Sequence, residues 1–437
     1  MQDRTAVLER GLIVAGFGVL FFLVPHAVIF DDNQRFNDIE QLLHHGRLST
    51  SKYSLVMPLL SVPVLALGNV VESPVWWAAR FNVVVVAAGV AVSCWLLRGR
   101  ADPRLPRLVV LVLLFASFLT PRLRDYNAEV LTATLVTVGI ICVTIERHVV
   151  AGWAAMVIGV VNTPAAIVGL GLLAGWETLR NRRFRYLAAV VAAVALIMLE
   201  DWVRRGGPLV TGYGGAGEHG VRTIMPYSGQ PGFSYPFLLG AAAILFSFGR
   251  GLLFFTPGLA LWLDGRTRRL VRPAPGQPAV TLMLLFTAGL VLLYAKWWAW
   301  YGGLTWGPRF FLFAAIPASV LLAVRIWRAG RSPGADGVTL VVLVLSAWVG
   351  CAGAINDRQQ ALSVCSAGHY ENEQLCWFTP DFSPLSQPIR QFPHLTAATT
   401  VLALYCVAIF CYLAAPLVIG LLRSVHLPPS WAKGWRV

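Results

Sequence analysis

Charge is what this chain has least of. Only 13% of its 437 residues are Asp, Glu, Lys or Arg, 57% are hydrophobic, and the mean hydropathy is +0.66. Soluble domains carry about 25% charged residues, so the composition excludes an ordinary soluble fold and indicates a polytopic membrane protein. Long polar tracts are also missing, which leaves residues 1–437 as one expected membrane domain with no tail sized for a second. The first apolar run lacks a small-residue cleavage site, so it is expected to stay as a span. No His/Cys ligand set stands out, and His44 and His45 read as interfacial polar residues. Of the seven cysteines, Cys94, Cys142, Cys351, Cys406 and Cys411 lie in or beside apolar runs, as small packing residues do. Cys365 and Cys376 share the last polar loop, where an oxidising compartment permits a disulfide that spacing alone does not decide.

Apolar runs of membrane length are abundant. Residues 11–30 hold no acidic or basic side chain and can cross a hydrocarbon core of about 30 Å. Further runs lie near 75–97, 105–120, 128–146, 149–161, 165–178, 186–203, 236–263, 277–295, 307–327, 338–355 and 395–422. The fold class they predict is all-α and integral to the membrane, with about 11–13 transmembrane helices. The pair 149–161 and 165–178 is short, and Asn162-Thr163-Pro164 is expected to turn a helical hairpin there. Residues 55–68 are short and twice broken by proline, which predicts a re-entrant or interfacial segment. The run 236–263 is interrupted by Gly249-Arg250-Gly251 and is expected to combine an interfacial helix with a span.

The formal net charge of +14 invites a nucleic-acid partner, but its distribution argues against one. The side that holds the short loops 98–107, 180–185, 264–272 and 325–331, both termini and residues 146–148 carries 21 Lys/Arg against 7 Asp/Glu, Glu177 and Asp336 beside those loops included. The other side carries 14 of each. The positive-inside rule makes the basic side, with the N-terminus, cytoplasmic in a plasma membrane. The charge therefore records topology and contact with anionic lipid, with no nucleic-acid groove.

The larger loops, 31–74, 204–235, 294–306 and 356–394, then face outward, as does a short one at 120–127. Asp31 and Asp32 leave the first span at the lipid–water boundary, where carboxylates are costly unless they meet water or a partner. Solvated interfacial charge is the plain account of them, and general-base chemistry the functional one. Residues 33–45 set Phe36, Ile39, Leu42 and Leu43 at helical spacing, which predicts an amphipathic helix lying in the interface. The 120–127 loop brings Arg122, Arg124 and Asp125 to the same face, with Glu129 just beyond. A helix that began early would point Asp125 and Glu129 one way. They either pair with Arg122 and Arg124 or help to hold a divalent metal.

The stretch YAKWWAWYGGLTWGPRF at 294–310 contains Lys296, Tyr301, Trp306 and Arg309. Tryptophan-rich interfacial segments usually act as anchors. Here the flanking cations add a means of phosphate recognition, above all Arg309 after Gly-Pro at a helix start. Gly302 and Gly303 allow close backbone approach, and the aromatic faces can stack on sugar rings. Arg250, between two glycines, is either a second phosphate ligand or a snorkelling residue.

Taken together, DDNQRF, LLHHGRLSTSKYS with the following PLLSVPVLALG, YPFLLG with FGRGLLFFTPGL, and WWAWYGGLTWGPRFF resemble the polytopic GT-C glycosyltransferases. The resemblance is strongest to the protein mannosyltransferase and lipid A aminoarabinose transferase branch. It runs in order over 11–327 and continues weakly at 378–385. It implies a GT-C fold with interfacial helices in the first outer loop. It also implies inverting transfer of a sugar from a polyprenyl-phosphate donor, at the outer face, to an envelope glycan, lipid or protein acceptor. Aligning that family's Asp-Glu-Pro-Arg-Tyr motif on Arg35 puts Asp32 at the base and Asn33 at the glutamate, while Asp31 shares or takes the role. Lys52 matches the lysine of a KxPG motif whose glycine is Leu55 here.

The roles so implied are Asp32 or Asp31 as base and Arg309 on the donor phosphate, assisted by Lys296, Lys52 and Arg250. Arg35, Arg122, Arg124, Asp125, Glu129, Tyr301 and Trp306 support the site. Mannose or arabinose is the favoured sugar, and the need for a divalent metal stays open. The rival account is a transporter or flippase of lipid-linked saccharides, which would move its cargo without forming a glycosidic bond. A non-catalytic envelope scaffold ranks third.

Overall fold

The computed structural model describes residues 2–213, 232–272, 276–303, 305–355, 364–365, 367, 372–390 and 395–426. The rest of the 204–235 and 356–394 loops, and the basic C-terminal tail, lie outside the described residues. Among the described residues six helices are long and apolar enough to cross a membrane: Arg4–Leu23, Pro74–Leu96, Phe184–Arg205, Arg309–Trp327, Pro333–Ile355 and Ala397–Ser424. Five shorter apolar helices accompany them: Val56–Leu67, Ala128–Thr144, Val149–Asn162, Phe237–Phe246 and Pro278–Tyr294. Over its most apolar window the Arg309–Trp327 span is 83% buried in protein, whereas Arg4–Leu23 and Phe184–Arg205 are each 17% buried. Apolar helices that leave so much surface uncovered are accounted for by lipid, and the chain is an integral membrane protein.

In chain order the helices used below are α1 (Gln2–Gly18), α2 (Asp31–His45), α3 (Val56–Leu67), α4 (Pro74–Leu96), α5 (Arg104–Phe115) and α6 (Ala128–Thr144). They continue with α7 (Val149–Asn162), α8 (Ile167–Asn181), α9 (Leu187–Arg205), α10 (Phe237–Phe246), α11 (Gly265–Val271) and α12 (Gly276–Tyr294). The last are α13 (Ala315–Trp327), α14 (Pro333–Ile355) and α15 (Ala397–His426). Neighbours in sequence pair closely, α6 with α7 and α14 with α15, while α13 packs on α5 and α12 on α8. The described residues contain no strand, only a parallel bridge between Ala27 and Asp125.

The first loop folds as its pattern predicts. α2 ends at Gly46, whose φ of 62° is the left-handed conformation of a helix C-cap, and Gly46 N–H donates to the Leu42 carbonyl at 3.0 Å. Phe36 and Ile39 are buried with Met57 and Leu65 of α3, Ala78 and Phe81 of α4, and Tyr126. Protein thus covers Phe36 and Ile39 of the apolar face of α2 and leaves Leu43 exposed. α3 is fixed beneath it by Asn162, whose Oδ1 accepts from Met57 N–H at 3.0 Å, and by a 2.7 Å hydrogen bond between the Ser61 and Tyr126 hydroxyls.

The segment after α5 departs from expectation. A 3-10 turn over Thr120–Arg124 is followed by Asp125 in extended conformation (φ −125°, ψ 162°), and α6 starts only at Ala128. Asp125 and Glu129 therefore do not share a helical face. The cause is tertiary: Asn82 Nδ2 of α4 donates to the carbonyls of Asp125 (2.6 Å) and Asn127 (3.1 Å), and Ala27 N–H donates to the Arg124 carbonyl at 3.1 Å. These bonds hold the strand-like segment open and clamp it to the chain just before α2. The interrupted run 236–263 resolves into α10, a break at Ser247–Gly251, a short turn and a 3-10 stretch over Pro257–Leu263.

Candidate active site

Phe30, immediately before α2, sits at φ 51° and ψ −122°, a conformation that costs a non-glycine residue about 1–3 kcal/mol. That turn presents Asp31 and Asp32 in the first turn of α2, where the helix dipole favours carboxylates. The two then diverge. Asp31 accepts from Arg309 Nη2 at 2.8 Å and from the Tyr53 hydroxyl, and it faces an open polar pocket. Asp32 is 7% exposed and pairs with Arg35 Nη1 at 3.1 Å. The Arg35 guanidinium lies 4.3 Å above the Tyr53 ring, so both acids rest on one aromatic platform.

Burial pushes the Asp31 carboxyl upward, but the Arg309 charge and the Tyr53 hydroxyl hold it well below the usual carboxylate range. Asp32 goes the other way. Burial dominates, the Asp125 and Glu129 charges add to it, and Arg35 only partly offsets them, so its pKa is raised to about 7.

Arg309 pairs with Asp31 and Arg122 with Asp125, while Arg250 comes in from a third element. Arg122, in the 3-10 turn, donates to Asp125, yet its Nε and Nη1 find no hydrogen-bond partner among the described residues. Arg250, 3% exposed, donates from Nη2 to the Gly303 carbonyl at 2.9 Å, and its Nε and Nη1 are likewise unmatched. Arg309 has an unmatched Nε. Arg250 bonds to Gly303 while Arg309 packs against the adjacent Gly302, which brings these two side chains to one loop. Like charges buried together with unmatched N–H groups are costly unless an anion joins them.

Glycines make this convergence sterically feasible. Gly249 passes so close to the Cys376 carbonyl that a Cβ would collide, and its N–H donates to the Trp377 carbonyl at 3.0 Å. Arg250 consequently lies 4.3 Å from the Trp377 ring, and Tyr301 stacks on the other side of this cluster at 5.2 Å from Trp377. Gly302 and Gly303, both at φ 75°, bend the tryptophan-rich loop so that its carbonyl reaches Arg250. Cys365 and Cys376 are joined in a disulfide with Cα atoms 6.0 Å apart, fastening the segment that carries Trp377.

The remaining expected residues lie at varied distances from this centre. Arg124 donates to the Pro25 carbonyl at 3.2 Å and braces the approach to α2. Trp306 is buried edge-on to Phe255 at 5.5 Å. Lys52 lies over the rings of Tyr213 (4.9 Å) and Tyr53 (5.6 Å) and lines the polar pocket of about 690 Å³ together with Asp31, Gln34 and Ser51. Lys296 is exposed, and its backbone carbonyl accepts from Tyr235 at 3.0 Å. Among the described residues no three His, Cys, Asp or Glu side chains are grouped to hold a metal ion.

One set of residues gave no functional signal in the sequence. At the end of α9, Arg204 donates to the carbonyls of Ser49 (3.0 Å) and Tyr53 (2.6 Å) and to Glu200 (2.6 Å). Glu200 in turn accepts from Ser54 Oγ and Leu55 N–H, each at 2.8 Å. This network positions Tyr53 and Lys52. Glu-Asp-x-x-Arg-Arg closing an apolar run was the available sign.

The helical architecture is that of the GT-C membrane fold. Among solved structures the chain is similar to ArnT from Cupriavidus metallidurans bound to undecaprenyl phosphate, at 15% identity and a TM-score of 0.52 over 97% of this chain and 78% of that one. The apo state of the same protein gives 14% identity and a TM-score of 0.52 over 95% and 77%. The apo oligosaccharyltransferase of Archaeoglobus fulgidus gives 11% identity and a TM-score of 0.44 over 91% and 64%. No protein family's sequence profile matches the chain, and no curated protein sequence matches it.

Proposed function

We propose that this chain is a membrane glycosyltransferase that moves a sugar, mannose or arabinose in the first instance, from a polyprenyl-phosphate donor to an acceptor hydroxyl of an envelope glycan, lipid or protein at the outer face. The observation that carries this reading is a set of arginines with unmatched N–H groups, Arg122 and Arg250 buried and Arg309 half-buried, the last paired with Asp31. The likeness of fold to a protein solved with undecaprenyl phosphate supports the same class of carrier.

The chemistry follows from the charges. The acceptor oxygen attacks the anomeric carbon from the face opposite the phosphate, the bond from that carbon to the phosphate oxygen breaks, and the configuration inverts. The donor's phosphodiester carries one negative charge and the departing polyprenyl phosphate gains a second. Fixed guanidinium groups therefore bind the leaving group more strongly than the donor, and that difference lowers the barrier. Asp32, with proton affinity near neutrality, takes the acceptor proton. Asp31 stays ionised and orients Arg309. Arg35 holds Asp32, and Lys52 lines the polar approach for the acceptor.

The direct test is equilibrium binding of polyprenyl phosphate, and of polyprenol as its uncharged counterpart, to the full chain in lipid nanodiscs. Polyprenyl phosphate is expected to bind far more tightly, and Arg250→Ala to weaken it by roughly tenfold or more, the worth of a hydrogen bond to a charged group. Equal binding of polyprenol, or an unchanged affinity in Arg250→Ala, contradicts the proposal.

A further inference from the structure

The far end of α13 from Arg309 holds a second concentration of arginine, unconnected with the site above. A cavity of about 420 Å³ is lined by Arg266 and Arg269 of α11, by Arg325 and Arg328 at the end of α13, and by Arg331 and Asp336 where α14 begins. The carboxylates nearby are engaged in holding the walls. Asp264 caps α11 at Arg266 N–H (3.0 Å) and accepts from Arg325 Nη1 at 3.0 Å, and Asp336 accepts from Gly330 N–H at 3.0 Å. Arg325 is fully committed to this frame, donating also to Thr339 Oγ1 (3.1 Å) and the Ala335 carbonyl (2.8 Å). Arg266, Arg269 and Arg331 are exposed toward the cavity mouth, while Arg328 stacks 3.8 Å from the Trp327 ring and has a buried Nε without a partner among the described residues. The positive-inside rule accounts for basic residues on this face, but it does not require a walled cavity or a buried unmatched guanidinium nitrogen.

A second observation narrows the ligand. Leu270 and Arg328 also line an apolar cavity of about 410 Å³ that runs among α4, α5, α6, α12 and α13. The arginine cavity and this apolar space, walled by residues such as Val90, Leu113, Val280 and Val320, are thus neighbours that meet at Leu270 and Arg328. A soluble anion would fill the first space and leave the second empty. A molecule with a phosphate at one end and a hydrocarbon chain at the other fits both.

We propose that this is a binding site for an anionic phospholipid of the inner leaflet, its phosphate headgroup held by Arg266, Arg269, Arg328 and Arg331 and one acyl chain lying in the apolar cavity. The site does not depend on the transferase reading and would remain if that reading failed. Basic pockets between transmembrane helices on the cytoplasmic side suit such headgroups, and each arginine near an anionic headgroup is worth roughly fivefold in affinity.

The test uses the full chain purified in detergent and examined by native mass spectrometry with added phosphatidylglycerol or phosphatidylcholine, and with inorganic phosphate as the soluble anion. Wild type is expected to retain phosphatidylglycerol at least roughly tenfold better than phosphatidylcholine, and the triple variant Arg266→Gln/Arg269→Gln/Arg331→Gln to lose that preference. Thermal unfolding gives the second readout. Phosphatidylglycerol should raise the wild-type midpoint and leave the triple variant's unchanged, with the lipid-free midpoints alike. If the triple variant does not fold, Arg269→Gln alone should weaken retention by roughly fivefold. Equal retention of the two lipids, retention unaffected by the substitutions, or displacement of phosphatidylglycerol by millimolar inorganic phosphate would each overturn the proposal.

Discussion

Asp31 and Asp32 are adjacent in sequence and opposite in proton affinity, because burial, with Asp125 and Glu129 adding to it, raises Asp32, whereas at Asp31 the Arg309 charge and the Tyr53 hydroxyl outweigh burial. The sign of the pH dependence follows. If Asp32 is the base, it must be unprotonated to work, so transfer should rise with pH through about 7 and level off above. Were Asp31 the base, activity would persist unchanged far into the acid range. Stability carries the same signature in reverse. The folded protein holds the Asp32 proton up to about pH 7 while the unfolded chain releases it near 3.8, the ordinary value for an aspartate, so wild type loses stability as pH rises between them. Asp32→Asn should abolish transfer yet unfold at a higher temperature than wild type at pH 8, with the gap closing at pH 4. A pH-independent difference in unfolding temperature would contradict this account. The acidic pair and Arg309 were legible in the sequence from their places beside apolar runs. Their opposite environments were not, since these depend on the turn at Phe30 and on a segment nearly a hundred residues away.

Among elements, α9 shows what patterning misses. Its apolar run was plain, but its C-terminal Arg204, whose side chain is 2% exposed, acts as the fastening of the 49–55 loop. Removing one member of a buried charged network costs about 3–5 kcal/mol. Arg204→Ala should therefore lower the unfolding midpoint and, through loss of Tyr53 and Lys52 placement, raise the apparent KM for acceptor more than it lowers kcat. Equal effects on both parameters would argue for global loosening instead. The amphipathic α2, the short α3 and the broken 236–263 run were legible because proline, glycine and helical spacing act locally. The extended conformation at Asp125 was not, because Asn82 imposes it from another helix. Cys365 and Cys376 stood as an open pairing on spacing, and only three-dimensional proximity joins them.

For the molecule as a whole, the all-α membrane fold was evident from composition, and the order of its apolar runs follows the helices closely. Burial was less legible: the Arg309–Trp327 span is wrapped by protein while Phe184–Arg205 faces lipid, a difference hydropathy alone does not report. The charge asymmetry predicts that the 98–103 loop is cytoplasmic and the 47–52 loop external. Single cysteines placed in each, in a chain whose native free cysteines are replaced, should label oppositely with a membrane-impermeant reagent in intact cells, and labelling of both from outside would refute that orientation. The central claim concerns bond formation, and it is tested by incubating the purified chain in lipid with radiolabelled polyprenyl-phosphate mannose or arabinose and a crude envelope acceptor. The account predicts label transferred into the acceptor fraction by wild type and lost in Asp32→Asn and in Arg250→Ala. Transfer that persists in Asp32→Asn, or intact donor carried across the bilayer with no new glycosidic bond, would contradict it.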